Sequence, residues 1–308
     1  MQKRFFFCSL FLISSLFYSQ EHLEKGLQCF ETYQLECAKE HFSKHVDQNP
    51  ENQDAWKYLG DIAVDQRDWE KAITCYKTIL DANPTNADYH FKYGGAIGFK
   101  ALNIGKINAF FLVDDIRDNF LEAARLDPNH LEVRWALVEF YVHLPAIIGG
   151  GTKKALRYSK ELYTLSKIDG LMSEGYIALE DGDDEIAKDL YQNAVTEGLK
   201  LHEYVKDSTS GELKVVKSYY KYDRNQLHYQ IGKAAFQYQK SMEEGLAHLH
   251  YFVEHYGVKD HITKDWGYYF IARMYKAKGD LPKAKEAISK ALALQPDFKE
   301  ALAFKKQL

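Results

Sequence analysis

The 308 residues predict an all-α fold, a right-handed superhelical solenoid of about seven helix hairpins stacked in sequence order. Three observations predict it. A template of a small residue on a first helix, then small and aromatic residues on a second, recurs in separate windows. Proline closes several of those windows at the same place: Pro50, Pro84, Pro128 and Pro296. With 6 Pro and 19 Gly, the composition is neither low-complexity nor that of a disordered chain. Such an array needs no central core, because each hairpin buries its apolar face on its neighbours.

The chain opens on the basic Met1-Gln2-Lys3-Arg4, followed by Phe5 to Phe17, apolar apart from Ser9, Ser14 and Ser15. That run is short for a bilayer core of about 30 Å. It is expected to be the h-region of a signal peptide over residues 1–20, cut near Ser19 or Gln20, with an uncleaved membrane anchor as the alternative. Cys8 lacks the small neighbours and preceding apolar core of a lipoprotein cysteine. No later stretch approaches membrane-spanning length, so no integral membrane span is expected after cleavage. A periplasmic or secreted location follows.

Residues 21–308 hold the hairpins, in units over about 21–52, 53–86, 87–130, 131–167, 168–199, 225–258 and 265–298. The pattern is clearest from Asp54 to Asn86. Trp56, Leu59 and Gly60 lie on a first helix, Ala72, Tyr76 and Ile79 on a second, and Pro84 closes the unit. Gly60 and Ala72 allow two helices to approach closely, while Arg67-Asp68 supplies the turn and a helix N-cap. The first unit repeats this with Gly26, Ala38, Phe42 and Pro50, and another with Gly175, Ala187, Tyr191 and Ala194. The last unit has Tyr268, Ile271, Tyr275, Ala284, Ile288, Ala291 and Pro296. Gly182-Asp183 and Gly279-Asp280 occupy the turn offset of Arg67-Asp68. In the third unit Tyr93 and Gly94 are followed late by Phe120, Ala123 and Pro128, with extra material around Ala101 to Phe111.

The fourth unit is interrupted at Leu144 to Gly151, where Pro145 ends a helix. The sixth contains Gly232 and Ala235, and Ser241 to Glu244 predict a capping box for its second helix. The irregular insert at 200–224 reads as a small β-hairpin near 203–217 or a long loop, with Asp207 to Gly211 at its turn. Residues 297–308 are expected to form a helix capping the stack.

These residues resemble the tetratricopeptide repeat, whose 34-residue pattern runs Trp, Leu-Gly, Tyr, Ala, Phe, Ala and Pro. The resemblance implies a groove lined by the first helix of each pair. Carried over residue by residue, it nominates Lys57, Asp61, Asp65, Phe91, Trp135, Glu139, Tyr229, Lys233, Tyr269 and Arg273. The groove would be acidic in its N-terminal half and basic-aromatic in its C-terminal half. Grip on the acidic tails of heat-shock chaperones, a known role of such repeats, is not expected, because Asp61 would repel a carboxylate.

Other functions are disfavoured. A formal charge of −4 provides no counterion-release grip on nucleic acid. Gly149-Gly150-Gly151-Thr152-Lys153 lacks phosphate-loop spacing and follows a helix, not a strand. His41 and His45 share a helix face, and His248, His250, His255 and His261 form a looser group. Neither has a third ligand at diagnostic spacing, so no metal and no cofactor is expected. No catalytic arrangement is evident and the chain is read as no enzyme. For Cys29, Cys37 and Cys75, a Cys29–Cys37 disulfide stands beside the preferred reading of three buried thiols. The expected function is a non-catalytic scaffold that binds a protein or peptide in the cell envelope. The alternative is a solute- or glycan-binding accessory of an uptake system.

Overall fold

The computed structural model describes residues 20–308 except 223, 258, 259 and 261. The expected leader, with Cys8, and the histidine at position 261 therefore lie outside the described residues. The described residues form an all-α array of helix hairpins with one two-stranded sheet, and they divide into two compact units at Phe140/Tyr141.

In the first unit, residues 20–31 form α1. Then come α2 (Leu35–Gln48), α3 (Gln53–Asp65), α4 (Trp69–Ala82), α5 (Ala87–Asn103), the short α6 (Lys106–Phe110) and α7 (Val113–Leu126). The helix α8 (Leu131–His143) begins in this unit. Side-chain caps set several starts: Asn52 accepts from the Ala55 amide, Asp68 from Lys71 and Asn86 from Tyr89. Each satisfies a backbone donor that the first helical turn leaves without an intrahelical partner.

One lock holds the hairpins closed. A Cβ added to Gly60 would lie 2.4 Å from the Tyr76 ring, and one on Gly26 would lie 2.7 Å from Phe42. The same lock joins Gly175 to Tyr191 in the second unit, at 2.9 Å. In each case the aromatic ring of the second helix fills the space left by the missing side chain. Gly94 meets Phe120 at 3.1 Å despite the intervening residues, which form the end of α5 and all of α6. The insertion thus extends the hairpin without disturbing its lock.

Cys29 and Cys37 are joined in a disulfide across the α1–α2 turn, while Cys75 is a buried thiol. The preferred reading of three thiols is therefore replaced by the alternative. The tight turn at Tyr33, with φ 58°, brings the two cysteines to a Cα separation of 5.8 Å, within disulfide reach.

The second unit starts with the end of α8, Tyr141 to His143. It continues with α9 (Thr152–Leu165), α10 (Lys167–Asp181) and α11 (Asp184–Leu199). Next come β1 (His202–Lys206) and β2 (Leu213–Ser218), then α12 (Asn225–Gln237), α13 (Met242–Glu254), α14 (Lys264–Ala277), α15 (Leu281–Leu294) and α16 (Lys299–Lys305). Between α8 and α9 the three glycine amides all bond inward: Gly149 to Ala146 O, Gly150 to Pro145 O and Gly151 to Tyr141 O. With those donors used, the segment is a closed interhelix turn and presents no cradle to a phosphate. The capping box expected at Ser241 does not form. Ser241 adopts φ 53° and its side chain caps nothing, because the chain enters α13 through a left-handed turn.

The insert is the expected β-hairpin. β1 and β2 are antiparallel, pairing His202 with Ser218 and Lys206 with Leu213, with a bulge at Glu203/Tyr204. Asp207 accepts from the Thr209 and Ser210 amides and closes the turn. β2 packs on α13. Near the C-terminal end, Phe298, Ala301 and Phe304 of the last segment are buried against the α14–α15 core.

Candidate ligand-binding face

Three of the four nominated residues on α3 and α5 are engaged as struts. Asp61 accepts from the Tyr76 hydroxyl at 2.6 Å and pairs with Lys92 at 2.9 Å, tying α3 to α4 and α5. Burial opposes the charge on Lys92, but Asp61 and Asp88 outweigh it and hold its pKa above the ordinary value. Asp65 is exposed and accepts from Tyr33 at 2.6 Å. Phe91 packs 5.1 Å from His130 and 6.2 Å from Phe120, centroid to centroid. Lys57 sits over its neighbour Tyr58, Trp135 is half-buried and Glu139 is exposed. Much of the expected acidic character is thus spent on Tyr33, Tyr76 and Lys92.

In the second unit the nominated residues lie on two helices in contact, α12 and α14. Tyr229, Lys233 and Phe236 follow one another at helical spacing along one face of α12. From α14, the Arg273 guanidinium lies 4.5 Å over the Phe236 ring, 5.4 Å from Tyr269 and 5.7 Å from Phe270. Tyr229 and Tyr269 belong to the core and not to an open face, at 6% and 9% exposure. Their rings fill the α12–α14 and α14–α16 contacts, on Phe270 and Phe304 respectively. The Tyr269 ring, with Phe236 and Phe270, lies beneath the Arg273 guanidinium.

Neither Lys233 nor Arg273 forms an ion pair with another described residue. Burial alone lowers the Lys233 pKa, with no carboxylate opposing the shift. Asp265, which is buried, lies on the same helix as Arg273 but about 12 Å away along the axis. A partly desolvated ammonium on α12 and a guanidinium stacked on aromatics on α14, neither in an ion pair, are each suited to receive a carboxylate, which gains most where water is already excluded.

Two features escape local reading. The insertion in the third hairpin exposes Leu102, Ile107, Phe110 and Phe111 at 74%, 79%, 53% and 73%; its only sequence signal is the apolar content of the extra residues. The β-hairpin, in turn, is fastened to the helices by three polar clusters. Asp169, fully buried at the start of α10, pairs with Arg224 at 2.5 Å and accepts from Tyr220 at 3.1 Å and Ser166 at 2.5 Å. At the turn end, Glu212 bonds Lys283 at 2.7 Å and the Tyr275 hydroxyl at 3.0 Å, which also meets His250. The third cluster joins His202, Tyr204, His228 and His248. Among the histidines weighed as metal ligands in the sequence, His41 meets His22 with their Nδ1 atoms 2.8 Å apart, while His45 is buried. His250 and His255 do not join His248; their ring nitrogens meet Tyr275 and the Tyr251 carbonyl.

The tetratricopeptide repeat family matches residues 30–91 and 267–298, so the chain carries tetratricopeptide repeats. Such repeats are generally non-catalytic scaffolds that bind proteins or peptides. Among solved structures, a thermophilic tetratricopeptide repeat protein of Thermus thermophilus is 17% identical, over 59% of this chain and 92% of that one, with a TM-score of 0.48. A tetratricopeptide repeat protein from Parabacteroides merdae is 12% identical, over 94% of this chain and 97% of that one, also with a TM-score of 0.48. No curated protein matches. Among the described residues no helix is long and apolar enough to cross a membrane.

Proposed function

We propose that the chain is a non-catalytic scaffold of the bacterial envelope that holds an acidic peptide segment of a partner protein against α12 and α14. The observation that carries this reading is two cations, Lys233 on α12 and Arg273 on α14 over the Phe236, Tyr269 and Phe270 rings, neither with an ion-pair partner among the described residues. Keeping a desolvated ammonium unpaired opposes folding, and a bound carboxylate would relieve that cost. The solute-binding alternative would need open aromatic faces, whereas Trp266, Tyr229 and Tyr269 are packed on Phe298, Phe252 and Phe304. The envelope assignment draws on the basic-apolar start of the chain, and the Cys29–Cys37 disulfide suits an oxidising compartment.

Capture from envelope extract tests the binding face. Wild type, Lys233→Met and Arg273→Gln are immobilised, and recovered proteins are compared by mass spectrometry, then confirmed with synthetic peptides. The expected result is one or more partners lost from both variants, bound through an acidic segment in a salt-sensitive manner. Equal recovery of every partner by all three proteins would remove the groove from consideration. Intact mass of the protein recovered from the periplasm tests the location, with a chain beginning near residue 20 expected.

A further inference from the structure

We propose that His202, His228 and His248 form a binding site for a divalent transition metal of the zinc class, which fastens the β-hairpin to α12 and α13. The three residues come from β1, α12 and α13, and one ring nitrogen of each lies within 4.8 Å of the others. Their exposures are 7%, 0% and 0%, so the imidazoles face one another and not solvent. Ring centroids are 5.0 Å apart for His202 and His228, 4.7 Å for His202 and His248, and 4.8 Å for His228 and His248.

The surrounding hydrogen bonds orient the donors. His202 Nδ1 is 2.7 Å from the Gly198 carbonyl oxygen, an acceptor only, so Nδ1 carries the proton and donates. Its Nε2 then holds the lone pair in the neutral ring. This is the arrangement of metal-ligating histidines, in which a backbone carbonyl fixes the tautomer from outside the coordination sphere. His248 is held likewise from its far side, with Nε2 2.7 Å from the Tyr204 hydroxyl. Its Nδ1 points at the Nδ1 of His228, 2.8 Å away. Between those two atoms a shared proton and a metal ion are alternatives: each Nδ1 can offer a lone pair once the proton moves to Nε2. The His228 ring stacks on Tyr251 at 4.0 Å, which sets its plane.

Three neutral imidazoles select zinc, copper or nickel over magnesium or calcium, which prefer oxygen. Three nitrogens leave one position of a tetrahedral ion for solvent. The ion would bridge the hairpin to two successive helices, at the opposite end of the strands from the Glu212 cluster.

The test uses the full chain stripped with chelator and titrated with Zn2+, with Co2+ as the spectroscopic substitute. One tightly held zinc per chain after gel filtration is expected, with a visible four-coordinate cobalt spectrum and a raised Tm. His228→Gln and His248→Gln should lose all three. Tyr204→Phe, which keeps the ligands, should fold and bind zinc about 10–100-fold more weakly. His255→Ala, at an exposed histidine outside the cluster, should bind as wild type. Wild-type protein that retains no zinc at micromolar concentration overturns the proposal, whatever the variants do. So does equal retention by wild type, Tyr204→Phe and both glutamine variants, which would assign the metal to surface histidines.

Discussion

At Gly60 the neighbouring Tyr76 ring occupies the place of a side chain, so enlarging this position has a foreseeable cost. Gly60→Leu should destabilise the protein by about 1–3 kcal/mol through overpacking. Gly98, also in a helix but with nothing near its missing Cβ, should behave oppositely: Gly98→Ala should gain about 0.5–1 kcal/mol from helix propensity. Denaturant midpoints of the two variants distinguish the lock from a general effect of glycine replacement. Lys233 carries a second prediction at this scale. Burial lowers its pKa from 10.5, so the charged form opposes folding. That cost is fully present at neutral pH and is lifted as pH rises from the folded value towards 10.5. Lys233→Met should therefore raise Tm at pH 7 while weakening partner capture, and its advantage should shrink in alkaline buffer. A residue kept only for packing would not combine higher stability with lost binding.

The β-hairpin is the element whose attachment invites testing. Asp169→Ala leaves the Arg224 guanidinium without its buried carboxylate, a loss that costs about 3–5 kcal/mol when such pairs are broken. Tm and proteolysis within residues 200–224 report it. The Glu212 end should respond to acid. Burial raises the Glu212 pKa, but hydrogen bonds from Lys283 and Tyr275 outweigh it, so the folded value lies below the ordinary one. Its contribution is present above the unfolded pKa and lost as pH falls through the folded value. His250 has a pKa lowered by burial from 6.5, against the pull of Glu212 and Glu254. Its neutral form favours the folded state, and that advantage fades as pH falls below 6.5. Both shifts predict loosening on acidification: amide protection factors at the turn, referred to the intrinsic exchange rate at each pH, should fall below about pH 6, first by way of His250. His250→Gln should flatten the higher-pH part of that profile.

At the scale of the molecule, a stack of hairpins is stabilised by neighbour contacts and by closure of its ends. Phe298 and Phe304 lie on Trp266 and Tyr269, at centroid distances of 4.6 Å and 6.0 Å. Deleting residues 297–308 would expose those aromatics, and the truncated chain should melt earlier and self-associate in light scattering. Exposed apolar patches of that kind drive association. Loss of the cap should be felt most in α14 and α15, because repeats distribute stability by nearest neighbour.

Much of the fold was legible without coordinates, for reasons tied to particular residues. Gly60 with Tyr76, Asp68 at its N-cap and Pro84 at the unit's close act within one hairpin, and helical period and caps are local properties. The basic-aromatic strip of Lys233 and Arg273 was visible because a repeat turns sequence position into surface position. The same template could not tell that Tyr229 and Tyr269 would be covered, since burial depends on which ring of the next helix reaches them. Nor could it show Asp61 neutralised by Lys92, the disulfide chosen over free thiols, or His202, His228 and His248 gathered in one place. Local period and turn chemistry were settled by the sequence alone. Which distant polar groups meet was decided only when the hairpin insert folded back onto the helices, because that contact joins residues with no periodic relation to one another.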